Sequence, residues 1–267
     1  MEWRTRRVGD RRSESKPYMV PLRKREYLRQ LVEGKNRWCR TLTEEEKALG
    51  FLGWHQRGYL PHCDFPWLVQ FVTFRLADSM PACRRGEWEH LLAIEDNRDK
   101  RAKLEEYLDR GHGACQLGEP RLAQVAENAL LYFAQERCEI MAWCVMPNHI
   151  HVLVHVWQTP LWKLVRSWKR HVATIAGAQP AEHRAPSRGE DSEVTDAPGR
   201  RPALRWQRDY WDTYMRDEDQ QRTAIRYIEN NPVKARYCAF GKDWAFSSAR
   251  LRDTYCRLVF PPRPERT

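Results

Sequence analysis

His149 and His151 stand either side of one apolar residue in Met146-Pro147-Asn148-His149-Ile150-His151-Val152-Leu153-Val154, a run that reads as a β-strand. Side chains on a strand alternate faces, so the two imidazoles point the same way, roughly 7 Å apart along the chain. Two imidazoles so placed can close on one divalent metal. Ile150, Val152, Val154 and Val156 point to the other face and can anchor the strand in a core. Solvated or hydrogen-bonded histidine pairs have the same spacing, and a short motif alone does not separate the two readings. His155 shares the histidine face but lies roughly 13 Å beyond His151, too far to join the same ion. It reads as structural or as a substrate contact.

A second segment, Arg216 to Pro232, carries helix punctuation. Asp217 suits the N-cap, with Gln220 three residues on completing a capping-box pattern. Acidic residues fill the first turn, where the helix dipole favours them, and Pro232 is expected to end the element nearby. Ala224, Ile225 and Ile228 form an apolar stripe, while Thr223, Tyr227 and Asn231 fall at i, i+4 and i+8 on another face. A phenol with an ordinary pKa of about 10 is a weak nucleophile at neutral pH. A divalent metal polarises a phosphoryl oxygen and stabilises the charge that develops in transfer. A histidine pair, a carboxamide and a tyrosine therefore suit attack on a DNA phosphodiester, giving a covalent phosphotyrosine that retains the bond for rejoining. A half-buried helix tyrosine is the plainer reading of Tyr227 taken alone.

The two segments together, Met146 to Leu153 and Tyr227-Ile228-Glu229-Asn230-Asn231-Pro232-Val233-Lys234-Ala235, resemble the single-tyrosine HUH transposases, and more narrowly the REP-associated tyrosine transposases. Three further stretches carry the likeness: Arg57-Gly58-Tyr59-Leu60-Pro61-His62, Gln70 to Ser79, and Trp206-Gln207-Arg208-Asp209-Tyr210-Trp211-Asp212. The resemblance spans roughly residues 55–250. It implies that His149 and His151 are metal ligands for Mg²⁺ or Mn²⁺, that Tyr227 is the nucleophile, and that a 5′-phosphotyrosine forms on single-stranded DNA at hairpin-forming repetitive palindromes. Related insertion-sequence transposases complete the metal site with a glutamine four residues after the tyrosine. This chain has Asn231 there, one methylene shorter, and the resemblance carries the ligand role to it.

These side chains need a scaffold. Thr43-Glu44-Glu45-Glu46 reads as a capped short helix, residues 65–76 as a strand, and 87–109 and 121–137 as helices. Residues 139–146 and 149–157 are two strands of a hairpin closed by Pro147-Asn148, followed by a helix at 161–177, a strand at Leu204–Tyr210 and the tyrosine helix at 218–231. The order β-α-β-β-α-β plus a terminal helix predicts an α+β fold: a ferredoxin-like antiparallel sheet with helices on one face and the histidines on the open face. The resemblance implies the same fold. Residues 1–42 read as a basic flexible arm, 43–252 as the transposase domain, 178–203 as a mobile Pro- and charge-rich linker inside it, and 253–267 as a tail. The long linker allows Tyr227 to meet the histidines of its own chain or those of a partner copy in a homodimer. Trp244, Phe246, Ser247 and Ser248 either pack on the fold or bind DNA.

The 267 residues carry 46 Lys+Arg against 36 Asp+Glu, a net charge of +10 that favours a polyanionic partner. Lys163, Arg166, Lys169, Arg170 and His171 on the helix at 161–177, together with Arg205 and Arg208, are the candidate phosphate contacts, with a solvated basic face as the alternative. Trp and Arg are interleaved around them, a pairing that suits unstacked bases, although more than half of the 12 Trp are expected in the core. The 8 Cys show no metal-finger spacing and read as reduced and buried. Neither a secretory core nor a run of membrane-spanning length is evident, so a soluble cytoplasmic protein with no small-molecule cofactor is expected. The rival from another class is a domesticated hairpin-DNA-binding protein with little or no nuclease activity. A replication or conjugation nickase using the same chemistry is a further alternative.

Overall fold

The computed structural model describes residues 40–57, 60–94, 97–177 and 204–261. The basic arm up to residue 39, Gly58 and Tyr59 of one motif, the linker 178–203 and residues 262–267 lie outside the described residues. Helix α1 (Glu44–Leu49) opens on the expected capping box, in which Thr43 and Glu46 cap each other, and closes on Gly50 at φ 93°. A hairpin that the sequence reading did not anticipate follows, β1 (Gly53–Arg57) with β2 (Leu60–Asp64). Strand β3 (Val69–Arg75) leads to α2 (Arg85–Leu92) and α3 (Asn97–Asp109), two helices where one stretch was expected at 87–109. Helix α4 (Pro120–Leu131) starts on a proline at its first position and stops six residues before the expected 137. The reason is local: Gln135 takes φ 69° and its N–H turns to Cys138 O.

Strands β4 (Cys138–Val145) and β5 (His149–Val156) form the expected hairpin, and α5 (Leu161–Gly177) follows. The last strand is β6 (Trp211–Tyr214), and the tyrosine helix is α6 (Glu218–Lys234). The strand expected at Leu204–Tyr210 is displaced. That segment touches the end of β3 through a single Leu76–Trp206 bridge, and Lys169 Nζ takes the carbonyls of Gln207 and Asp209, both at 2.9 Å, out of any ladder. Helix α6 runs past Pro232 to Lys234, because Pro232 gives up one N–H while Ala235 N still bonds Asn231 O at 2.9 Å. Its capping also differs by one position. Asp217 caps Gln220 N as expected, but the Gln220 side chain accepts from Arg216 N.

The four-stranded sheet has the order β4-β5-β3-β6 with every neighbour antiparallel. Taking β3, β4, β5 and β6 as the four strands of a β-α-β-β-α-β unit, this is the ferredoxin-like arrangement, and the expected α+β class holds. One face, with Val72, Phe74, Ile150, Val152, Val154 and Val156, packs on α4 and α5 through Leu130, Leu164, Val165 and Trp168. The other face receives α6: Ala224 and Ile228 sit on Phe71, Ala142, Cys144 and Leu153. The period-2 alternation along β5 thus sorts its valines and isoleucine from its histidines, as read from the sequence.

A strap from the C-terminal segment fixes α6 against the edge strand. Glu229 on α6 accepts from Ser248 Oγ at 2.6 Å and Arg252 Nε at 2.7 Å, Ser248 Oγ accepts from Trp143 N, and Trp244 Nε1 donates to Val145 O. Gly241 allows the approach, since a Cβ there would stand 2.4 Å from Glu229 O. Trp244, Phe246, Ser247 and Ser248 therefore pack on the fold. Trp143, Trp157, Trp168 and Trp211 are buried, fewer than half of the described tryptophans, so the expectation that most are core is not met. Cys63, Cys138 and Cys144 are buried and unpaired as expected, whereas Cys83 and Cys256 are exposed. No helix among the described residues is long and apolar enough to cross a membrane.

Candidate metal and nucleophile site

His149 and His151 converge from β5 until their Nε2 atoms are 3.0 Å apart, and both rings are fully buried under α6. Each ring is aimed by a partner on its other nitrogen. His149 Nδ1 donates to Asn148 Oδ1 at 2.7 Å, and His151 Nδ1 meets Thr73 Oγ1 at 2.9 Å. Such bonds on the outer nitrogen orient each ring and leave Nε2 as the atom that can ligate. Asn231, delivered by α6 one turn beyond Tyr227, donates its amide Nδ2 to His151 Nε2 at 3.2 Å, which leaves its Oδ1 as the atom that could meet a metal. Tyr227 is half-buried, with its ring 5.7 Å from that of His151 and edge-on to it, so the two modules meet within one chain. The sequence reading left that pairing open.

Asp109, the last residue of α3, completes the cluster and was absent from the sequence reading. Its Oδ1 lies 3.9 Å from His149 Nε2 and its Oδ2 2.8 Å from Lys234 Nζ. Ligand atoms of Asp109, His149 and His151 all lie within 4.8 Å of one another. Asn148 brings Asp109 there: its Nδ2 donates to Leu108 O and His112 O, both at 3.1 Å, tying the end of α3 to the histidine strand. The Asn in the Pro-Asn-His run was the one visible signal, since it has a role in aiming both ligands.

The residues fit a divalent cation on two observations. Asn231 Oδ1 is buried without a hydrogen-bond partner. Both imidazoles turn Nε2 inward, 3.0 Å apart, so the two nitrogens can share one proton or one cation. The electrostatics agree. Burial holds His149 well below the usual histidine range, with the neighbouring His151 adding to it, so the ring is neutral as a ligand must be. Burial raises the Asp109 carboxyl above its ordinary value, and the Lys234 ammonium and the Asn231 amide offset only part of that rise.

The expected DNA contacts divide. Lys169 is committed to the fold by its two carbonyl bonds, with burial lowering its pKa to about 8, which corrects its reading as a phosphate contact. Lys163 reaches Leu49 O at 2.8 Å. Arg166, Arg170, His171, Arg205 and Arg208 are exposed. Helix α5 lies on the sheet face away from the histidines. His155 pairs with Glu139 at 3.2 Å and takes no part in the site, as its spacing implied.

A second polar cluster joins three of the motifs. His62 is bonded on Nδ1 to Asp212 and lies 3.1 Å from Asp209 on Nε2, and Gln70 Nε2 donates to Cys63 O at 2.8 Å and to Asp212 Oδ2 at 3.1 Å. Burial alone would lower the pKa of His62, but the two carboxylates outweigh it and raise it to about 9. The imidazolium is therefore the bolt between the β1–β2 hairpin and the sheet edge.

No family model matches the chain. A protein of Haemophilus influenzae that carries the name REP-associated tyrosine transposase is 30% identical over 111 residues, which cover 41% of this chain and 58% of that relative. The match thus spans less than two thirds of the relative's length. A solved structure of a REP-associated tyrosine transposase bound to a REP hairpin aligns with a TM-score of 0.43 and 16% identity, over 81% of this chain and 99% of that one. The resemblance to the REP-associated tyrosine transposases that the motifs carry is borne out by the Haemophilus relative.

Proposed function

We propose that this chain is a divalent-metal-dependent endonuclease and transposase of single-stranded DNA, cleaving and rejoining at hairpin-forming repeats through a 5′-phosphotyrosine on Tyr227. The observation that carries the reading is the convergence of His149, His151, Asn231 and Asp109 beside Tyr227 in one buried cluster. His149, His151 and Asn231 hold Mg²⁺ or Mn²⁺, with Asp109 as a further oxygen ligand. When bound, the metal withdraws charge from a phosphoryl oxygen.

The chain's own residues do the rest. Tyr227 Oη attacks the phosphorus, the bond from phosphorus to the 3′ oxygen breaks, and that oxygen leaves as a 3′-hydroxyl as the phenol gives up its proton. Asn148 and Thr73 hold the imidazoles in their ligating orientation. Lys234, 2.8 Å from Asp109 and 5.5 Å from the Tyr227 ring centre, places a positive charge where the phosphodiester must enter. A hairpin substrate is physically sensible, because its stem offers shape and phosphates and its unpaired foot offers base edges. Arg166, Arg170, Arg205 and Arg208 are exposed cations for such a stem. The reading places the protein in the cytoplasm with its DNA.

The test mixes the protein with a hairpin oligonucleotide carrying a single-stranded extension, taken from repeats flanking its gene, with Mg²⁺ or Mn²⁺. An SDS-resistant adduct on the 3′-side fragment, abolished by Tyr227→Phe and by His149→Ala, is expected. An adduct that survives Tyr227→Phe overturns the nucleophile. Tight hairpin binding with no adduct under any metal points to the non-catalytic DNA-binding protein instead.

A further inference from the structure

A crevice opens beside the histidine pair, lined by Thr73, Arg75, Gln207, Asp209, Tyr210 and Trp211. Its position follows from the register. Thr73 faces His151 on one side and Trp211 on the other, and Arg75 faces His149, so the crevice is one strand away, about 4.8 Å, from the metal-ligating strand. Thr73 is a shared wall, because its hydroxyl holds His151 Nδ1 at 2.9 Å. Any group in the crevice therefore sits one strand over from the histidine pair.

One atom of its lining is left over by the His62 cluster. Asp209 Oδ1 accepts from Tyr210 N at 3.0 Å and stands 3.1 Å from His62, yet Asp209 Oδ2 is buried with no protein donor. The carboxylate is ionised: burial would raise its pKa, but the His62 imidazolium holds it below the ordinary value. A buried carboxylate oxygen lacking a donor costs stability unless a ligand or a water supplies one. Gln207, half-buried next to it, offers both a donor and an acceptor. Tyr210 and Trp211 give aromatic walls, and the Arg75 guanidinium lies 5.8 Å over the Trp211 ring. An acceptor, an amide and aromatic surface are the chemistry of a base edge. The opening is too small for a whole base, so it takes an exocyclic amino group while the ring rests at its mouth.

We propose that this crevice is a base-reading subsite, in which the amino edge of an unpaired base next to the scissile phosphate donates to Asp209 and pairs with Gln207. It discriminates guanine, adenine and cytosine from thymine, which has no amino group. The inference rests on the single-stranded DNA reading above, and the test separates the two. Fluorescence anisotropy follows the Tyr227→Phe protein binding a labelled single-stranded flank of the repeats adjoining its gene. Amino-deleted analogues replace one base at a time: inosine for guanine, purine for adenine, 2-pyrimidinone for cytosine.

The expected result is one position, within two nucleotides of the cleavage point, where the analogue weakens binding about tenfold. In Gln207→Ala and in Asp209→Asn the parent strand binds more weakly and the analogue penalty shrinks toward none. Gln207→Ala keeps the test valid if Asp209→Asn fails to fold, since Asp209 also belongs to the His62 cluster. Equal binding of every analogue, or an undiminished penalty in a folded variant, overturns the subsite. Failure to bind any single strand overturns the function reading and the subsite with it.

Discussion

The His62 bolt makes a quantitative prediction about stability against pH. His62 has a folded pKa of about 9 against an ordinary 6.5, so its native form binds a proton more tightly than its unfolded form. That contribution is complete below the unfolded pKa and is lost as pH rises toward 9. The whole shift is about 2.5 pK units, on the order of 3 kcal/mol. The difference between wild type and a variant without this titration isolates it, because other groups titrate over the same pH range. His149 and His112 are held below the ordinary value, so their unfolded forms still lose protons just above pH 6.5 and stability rises there. Lys169, lowered to about 8, adds stability as pH approaches and passes that value, because the unfolded state then holds the extra proton. Cys63 and Cys138, pushed up to about 12 by burial, subtract stability only as unfolded thiols ionise near pH 9. Relative to a His62→Gln/Asp212→Asn double variant, which removes the titration while keeping hydrogen bonding, the unfolding free energy of wild type should fall by roughly 1.5 kcal/mol between pH 6.5 and 8. Urea denaturation followed by tryptophan fluorescence measures both proteins. The reasoning is refuted if the two show the same slope across the window.

Three other outcomes follow from the geometry. Thr73→Val removes the partner of His151 Nδ1 and should lower Mn²⁺ affinity by about 10- to 100-fold, read by calorimetry, with little change in melting temperature. Lys234→Met deletes the charge that pulls the Asp109 carboxyl down against burial, so Asp109 should hold its proton to higher pH; the acid limb of Mn²⁺ binding then moves upward, whereas an unmoved limb would remove Asp109 from the ligand set. Glu127, buried and bonded by Arg250 at 2.8 Å on each oxygen and by Trp143 Nε1 at 2.7 Å, ties the strap to α4; Glu127→Leu should cost about 3 kcal/mol in denaturant melts by removing the carboxylate partner of Arg250 and the acceptor of the buried Trp143 Nε1.

What the sequence made legible was whatever depends on local periodicity. The alternation in β5 placed His149 and His151 on one face, and the spacing in α6 placed Tyr227 and Asn231 on one side. Those rules act over a few residues and do not need the rest of the chain. The displaced strand failed for the opposite reason. Leu204 to Tyr210 has an extended composition, but Lys169, from another helix, takes the carbonyls of Gln207 and Asp209. The β1–β2 hairpin was read only as a motif because its anchor, His62, finds its carboxylates 150 residues downstream.

Asp109 was illegible in a more instructive way. Nothing in Glu105-Glu106-Tyr107-Leu108-Asp109 distinguishes it from the acidic face of any surface helix. Its role depends on Asn148, whose Oδ1 orients His149 while its Nδ2 grips Leu108 O and His112 O. One carboxamide thereby sets the tautomer of a nitrogen ligand and the position of an oxygen ligand. The two effects separate experimentally. Asn148→Asp can still accept from His149 Nδ1 but cannot donate to the two carbonyls, so it should loosen Asp109 while leaving the histidine oriented. If Mn²⁺ affinity in that variant falls as far as in Asp109→Ala, with the adduct still dependent on His149, the carboxylate is placed through Asn148. If affinity is unchanged, Asp109 is a neighbour of the histidine pair and not a ligand.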